Sequence, residues 1–334
     1  MKKIQKVGLP FCSNVISRTM KEEKSAAFGN EISCPTGSSR RAQSCLFRND
    51  NSGKLVISNQ NFLVRRLFLI FIFLLLIIYS ALAQEVNRVI SLAPSITENI
   101  YLVGAQKKLV GCTSYCKQAI ADGVEQVGST IDVNIEKILV LKPDLVLTMQ
   151  MTKPQDIAAI KKLGIRVEVI PTPKNFDEIC EQTERIGQLL GVKKGTAKIL
   201  LETRRQVDSL KNICSKIPTK KIFFQIGAEP VFTVLPNTYM NDFILFSHSE
   251  NIADGMTKGT MTRESVIAKD PDIIIIATMG GFGTKEEKIW SGYSGLKAVE
   301  NHKIFLIDSE TSCSPTPYNF AKAFADVVRF VTQN

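Results

Sequence analysis

The sequence predicts an α/β protein: two similar α/β lobes with mainly parallel sheets, joined by one long α-helix, with a ligand cleft between them. Three observations predict it. From Arg88 onward, short apolar runs alternate with helical patterns, as in βαβ units that build a parallel sheet. A strand-launching motif occurs twice, as Glu136-Lys-Ile-Leu-Val-Leu-Lys142-Pro143-Asp144 and as Glu264-Ser-Val-Ile-Ala-Lys-Asp270-Pro271-Asp272, with the same spacing and an apolar run after each. Between the two copies lies a long polar–apolar periodic stretch, from Phe176 to Cys214.

Each element follows from local pattern. Val89–Ala93, Leu109–Thr113, Leu145–Thr148 and Val167–Ile170 are apolar runs of strand length, and Ser95–Val103 and Ile135–Leu141 carry helical spacing. The stretch from Thr196 to Cys214, with Ile199, Leu200, Val207 and Leu210 along it, is about 28 Å of helix at 1.5 Å per residue. Pro218 ends it. A second set follows: strands at Ile222–Ile226, Ile273–Ala277 and Ile304–Ile307, then a closing helix from Tyr318 to Val331. In both copies of the motif the Pro stops a short helix and the apolar run enters a sheet core. The expected boundaries are 84–182 for the N-terminal lobe, 183–217 for the linking helical backbone and 218–334 for the C-terminal lobe. Open α/β sheets bind ligands outside the carboxyl ends of their strands, so two facing lobes make a cleft.

The start of the chain is of another kind. Arg65 and Arg66 precede the unbroken apolar run Leu67 to Ile78, and Ala81-Leu82-Ala83 follows. A charged region, an apolar region and a small-x-small site make a secretory signal peptide over 63–83, cleaved after Ala83 to leave Gln84 first. No Cys directly follows the apolar run, so a lipid anchor is not expected. The competing reading is an uncleaved membrane helix over the same residues. Residues 1–62 are polar and without periodicity. They read as a disordered prefix that reflects a start placed too early, or as a cytoplasmic tail ahead of a signal anchor.

Charge narrows the function. Of the net +10, +8 falls in residues 1–83, so the remainder is close to neutral. Phosphate neutralisation needs a basic stripe, and none follows residue 84, which excludes a nucleic-acid partner. Five cysteines follow the signal peptide: Cys112, Cys116, Cys180, Cys214 and Cys313. Cys112 and Cys116 lack a second pair at zinc-site spacing, so they read as free thiols rather than metal ligands. The two histidines, His248 and His302, stand in no catalytic motif, and His302 reads as a turn residue. Met279-Gly280-Gly281-Phe282-Gly283 reads as a flexible rim loop with no helix after it to complete a dinucleotide site. An enzyme is not expected. Scarce histidine also argues against capture of a bare metal ion, whereas a chelated metal brings its own ligands and needs only apolar walls and a few polar contacts.

The segment Arg88-Val-Ile-Ser-Leu-Ala-Pro94-Ser95-Ile-Thr97-Glu98, the Leu109–Tyr115 turn and both Pro-Asp motifs resemble the helical-backbone substrate-binding proteins of ABC importers. The cobalamin, iron-siderophore and haem branch is the most similar, and the resemblance covers residues 86–334. It implies a periplasmic monomer that captures a metal chelate (cobalamin, a ferric siderophore or haem), holds no covalent cofactor, and delivers its ligand to an ABC permease and its ATPase. It places Tyr115, Phe232 and Glu310 at ligand-contact positions. Met149, with Thr130 and Lys258, stands where cobalamin-binding members carry Trp. Glu136 and Glu264 match acidic residues that meet Arg pockets on the permease. Both also begin short helices, where a carboxylate favours the helix dipole by about 0.3–1 kcal/mol. The alternative function is a membrane-anchored sensor or enzyme accessory of the same fold that retains residues 1–83.

Overall fold

The computed structural model describes residues 66–72 and 85–333. The chain divides into two units, Met1–Phe71 and Ile72–Asn334. The described part of the first is helical from Arg66. The prefix 1–62 and the cleavage site expected at Ala83 lie outside the described residues. Among the described residues no helix is long and apolar enough to cross a membrane.

Within the second unit the chain first runs β1 (Val89–Ser91), α1 (Pro94–Leu102), β2 (Leu109–Cys112), α2 (Lys117–Ala121), β3 (Glu125–Gln126), α3 (Ile135–Leu141), β4 (Leu145–Met149), α4 (Pro154–Lys162) and β5 (Arg166–Ile170). The five strands form one sheet in the order β3-β2-β1-β4-β5, parallel throughout. Every residue of β1 and β4 is buried, as central strands covered on both faces must be. Strand order reverses at β1, which has β2 on one side and β4 on the other. A crevice therefore opens beyond the carboxyl ends of β1 and β4.

Two helices follow, α5 (Phe176–Leu189) and α6 (Lys193–Cys214). The sequence reads as one periodic stretch here, but Gly191 breaks it. Its φ of 76° is left-handed, and the Val192 amide donates to Gly187 O at 2.9 Å, which closes the end of α5. The two helices cross closely: a Cβ at Gly187 would lie 2.2 Å from Thr196 Oγ1. On α6, Thr196, Leu200, Thr203, Val207 and Cys214 are buried at spacings of three, four and seven, a single seam flanked by half-buried residues such as Ile199 and Leu210.

The second sheet contains β6 (Lys221–Ala228), β7 (Val231–Thr233), β8 (Glu250–Asn251), β9 (Ile273–Ala277) and β10 (Ile304–Ile307). Its order is β10-β9-β6-β7, with β8 also on β6, and only the β6–β7 hairpin is antiparallel. Its helices are α7 (Asn241–Phe246), α8 (Arg263–Lys269), α9 (Gly283–Ser291), α10 (Lys297–Glu300), α11 (Ser309–Ser312) and α12 (Pro317–Thr332). One core joins α5, α6 and α12 to this sheet through Phe176, Val207, Phe243, Phe320 and Phe324. Another joins α1 to the first sheet and takes Ile186 from α5. Helix α5 thus supplies side chains to the cores of both lobes.

The two copies of the motif fold in the same way. Asn134 caps α3 by accepting from the Lys137 amide at 2.9 Å, and Thr262 caps α8 by accepting from Ser265 at 3.2 Å. Both helices end on a left-handed residue, Lys142 at φ 44° and Asp270 at φ 46°. After the Pro, Asp144 Oδ2 accepts from the amides of Asn87 (2.8 Å) and Arg88 (2.9 Å), and Asp272 Oδ2 accepts from Lys221 at 2.8 Å. Each Asp also donates its own amide to the facing strand, to Arg88 O and Lys221 O. The carboxylates pin β4 to β1 and β9 to β6.

Hydrogen bonds to charged acceptors are worth about 1.5–3 kcal/mol. Asp144→Ala is expected to cost about 2–3 kcal/mol, and Asp272→Ala, with one amide fewer on its carboxylate, about 1–2 kcal/mol. Urea unfolding of the two variants measures the difference, and equal losses would contradict it.

Candidate ligand-binding site

Tyr115 stands on the turn after β2 and is 70% exposed. The turn is held by the Ser114 amide on Gly128 O (2.9 Å) and the Cys116 amide on Thr113 O (3.1 Å). Two residues on, Lys117 forms an ion pair with Glu310, which follows β10 in the other lobe. Both side chains are exposed, and the Glu310 carboxylate holds the Lys117 ammonium above its ordinary pKa. The structure thus brings Glu310 to the Tyr115 turn, with its carboxylate already engaged. The lysine had no distinguishing signal in the sequence.

A second polar bridge lies deeper. Glu98, on α1, accepts from Ser314 Oγ at 2.5 Å and from Asn319 Nδ2 at 2.7 Å. Burial raises its pKa against the pull of those two hydrogen bonds, and the nearby Cys116 and Glu310 add to the rise. Nothing local to Glu98 in the sequence marks these partners, which lie 216 and 221 residues away.

In the second lobe Phe232 sits on β7, 41% exposed, directly after the Glu229-Pro230 turn. Two glycines seat it. A Cβ at Gly227 would lie 2.9 Å from its Cβ, and one at Gly259 would lie 2.7 Å from its ring. Glu229 pairs with Lys285 at 2.9 Å. Beneath this hairpin is a buried network: Arg263 Nη2 reaches both oxygens of Glu286 (2.9 and 2.8 Å), Gln225 Nε2 donates to Glu286 (2.7 Å), and Trp290 Nε1 donates to Gln225 Oε1 (2.7 Å). The Arg263 guanidinium also lies 4.8 Å from the Trp290 ring centre. The chain's one Trp is therefore structural.

Helix α9, which carries Glu286 and Trp290, corrects the reading of 279–283 as a flexible loop with no following helix. Gly280 and Gly281 adopt φ of 66° and 75°, a reversal that turns the chain straight from β9 into α9. Gly283 packs against Thr278 and Leu306. The segment is an anchored turn.

Met149, a proposed wall residue, is buried in the first-lobe core, where its sulfur accepts from Ser95 Oγ at 3.5 Å. The last residue of β4 still points into the sheet's covered face, while Met151, beyond the strand, is 64% exposed. Ile131 is exposed on the neighbouring loop, which Thr152 ties down by donating to Thr130 O at 3.1 Å. Lys258 is exposed beside Gly259. Among the described residues no hydrogen bond or ring–ring contact joins Phe232 to Tyr115. Tyr115 follows the end of β2 in one lobe, whereas Phe232 is the middle residue of β7 in the other.

Glu136 and Glu264 are both exposed, each the second residue of its helix. Amide and Thr262 hydroxyl hydrogen bonds hold the Glu264 carboxyl below its usual pKa. His248 and His302 are exposed turn residues at positive φ.

Two α/β lobes with switch-point crevices, joined by paired helices and bridged by Lys117–Glu310 and Glu98, define a two-lobed ligand-binding protein. The chain belongs to the periplasmic binding protein family, which matches residues 89–311. It is 30% identical to an uncharacterized ABC transporter substrate-binding lipoprotein of Bacillus subtilis, over 68% of this chain and 74% of that one. It is 31% identical to a vitamin B12-binding protein of Yersinia pestis, over 58% and 71%. The structure of a possible iron-binding, periplasmic solute-binding protein from Staphylococcus epidermidis aligns with a TM-score of 0.66 and 26% identity, over 75% of this chain and all of that one. These relatives are substrate-binding transport proteins and not enzymes.

Raised above its ordinary value near 4.5, the Glu98 pKa makes this residue favour the folded state most when protonated, and that contribution is lost as pH rises through the raised value. Glu98→Gln keeps an acceptor for Ser314 and Asn319 but does not titrate. The stability of the variant relative to the parent should therefore improve from about pH 4.5 to neutrality. Thermal unfolding across that range reads it, and a constant difference would contradict it.

Proposed function

We propose that the chain is the substrate-binding component of an ABC importer that captures a metal chelate, cobalamin-like, ferric-siderophore-like or haem-like, and hands it to a permease and its ATPase. The observation that carries this reading is the exposure of two aromatic side chains, Tyr115 on the turn after β2 and Phe232 on the β6–β7 hairpin, in the two lobes of a fold whose relatives include B12-binding and iron-binding proteins. Aromatic and thioether surfaces suit a large ligand that brings its own metal coordination. Glu310 contributes the carboxylate at the rim, and its bond to Lys117 opens to admit the ligand. Met149 backs the first-lobe wall and Met151 extends it. The lobes divide as 84–182, 183–217 and 218–334, and the product is a monomer in the periplasm, cleaved after Ala83.

Mass spectrometry and absorption spectra of protein purified from its source with ligand still bound test the ligand class. A corrin, porphyrin or ferric-chelate spectrum is expected, and a metal-free ligand would refute the reading. An N-terminus at Gln84 tests export, and an intact hydrophobic segment would favour the anchored alternative.

Tyr115→Ala and Phe232→Ala should each weaken binding of that ligand by about 1–3 kcal/mol, the scale of burying a large side chain. Calorimetry decides this, and unchanged affinity in both folded variants places the site elsewhere.

Glu136 and Glu264 are proposed to meet basic pockets on the two permease subunits. Exposed ion pairs are worth only about 0.2–1 kcal/mol, but pairs desolvated at an interface exceed that. The double variant Glu136→Lys, Glu264→Lys should abolish uptake and leave ligand affinity unchanged, and either single variant should give a partial defect. Normal transport by the double variant would leave both as helix starters only.

A further inference from the structure

Glu98 braces the lobes with half of its carboxylate. Ser314 Oγ and Asn319 Nδ2 both donate to Oε2, and among the described residues no hydrogen bond or ion pair reaches Oε1. That oxygen is not sealed away. The buried side-chain polar atoms without a partner among the described residues are Gln182 Oε1 and Arg263 Nη1, so the spare oxygen of half-buried Glu98 meets solvent.

Its place in the fold is the crevice. Helix α1 starts at Pro94, three residues beyond β1, where the strand order of the first sheet reverses. Thr97 Oγ1 donates to Ser91 Oγ at 2.8 Å and ties the first turn of α1 to the end of β1. Glu98 comes next in the chain. Its partners Ser314 and Asn319 belong to the opposite lobe, so the carboxylate lies where the two lobes meet. The titratable groups around it are Cys116 and Glu310, which add to the rise of its pKa, and Tyr239. None is a cation, and the Lys117 ammonium is held by Glu310. A carboxylate oxygen with no ionic partner, partly withdrawn from water, gains from a donor that a ligand brings.

We propose that Glu98 is a ligand-contact residue whose Oε1 accepts a hydrogen bond from an N–H or O–H group at the edge of the chelate, and that the crevice takes a neutral or cationic, donor-edged chelate in preference to an anionic one. The inference rests on the chelate reading above and narrows it. A ligand carboxylate placed here meets the Glu98 oxygen with like charge and no proton to share, whereas an amide or ammonium edge meets it with the right sign.

Glu98→Gln tests the assignment. The Gln carbonyl oxygen still accepts from Ser314 and Asn319, which leaves its amide nitrogen, a donor, where Oε1 stood. Calorimetric titration of the full chain uses four probes: cyanocobalamin, neutral and edged with primary amides; ferrioxamine B, a cation; haemin, with ionised carboxylates; and ferric enterobactin, an anionic catecholate. The parent is expected to bind cyanocobalamin or ferrioxamine B more tightly than either anion. Glu98→Gln should weaken that binding about tenfold and weaken neither anionic probe. Ser314→Ala removes one brace bond and keeps Oε1, and should weaken binding by less than about threefold. Tighter binding of haemin or ferric enterobactin by the parent would overturn the proposal and leave the chelate reading standing. An unchanged affinity in Glu98→Gln, or an equal loss in Ser314→Ala, would also overturn it and make Glu98 a brace only. Binding of none of the four would overturn it too, and the ligand carried from the source then decides the chelate reading separately. If Glu98→Gln does not fold, the ranking of the four probes by the parent decides.

Discussion

A carboxylate laid across the first amides of a neighbouring strand organises each lobe. Asp144 holds Asn87 and Arg88, and Asp272 holds Lys221. These contacts fall at β1–β4 and β6–β9, the pairs on which strand order reverses and beyond whose ends the crevices open. A slip of one residue would send every side chain of a strand to the opposite face. The clamp therefore fixes the register of the central strands and the positions of the loops that follow them. It also fixes the short helices before it, because the left-handed Lys142 and Asp270 leave one path from helix to strand.

The two lobes are coupled by different means at different depths. At the base, α5 and α6 cross so closely at Gly187 and Thr196 that a methyl group does not fit. Nearer the strand ends the coupling is polar, through Glu98 with Ser314 and Asn319 and through Lys117 with Glu310. The buried pair Arg263–Glu286 works within one lobe. It links the residue before Glu264 to the helix carrying Trp290, beneath the hairpin that holds Phe232. Removing one partner of such a pair would strand a buried charge, which makes it more a device of geometry than of net stability.

Most of the fold was legible in the sequence because its signals are local. Apolar runs bounded by turn residues became strands, and the doubled Pro-Asp motif became two equivalent corners. Gly191 shows a limit: the periodicity of 176–214 continues through it, and only its left-handed φ ends α5. At 279–283 the glycines looked like looseness, yet Trp290 and Glu286, several residues later, hold the turn in place. The site was less legible. Met149 and Met151 are the same residue type two positions apart, and the end of β4 decides which is buried. The partners of Glu98 and Lys117 lie 193 to 221 residues along the chain and obey no periodicity.

The rooting of α5 in both cores has a consequence for signalling. Phe176 and Ile179 pack with one lobe and Ile186 with the other, so rotating the lobes shears dense side-chain packing, which interiors resist. On the proposed reading, such packing holds the empty receptor close to the outline of the loaded one. A ligand can bias an equilibrium only by its differential affinity for two states, and densely packed lobes leave little difference for it to act on. On the proposed reading, an empty copy then competes with a loaded one for the same transporter, and the ratio of receptor to ligand in the compartment becomes a throttle on the rate of import.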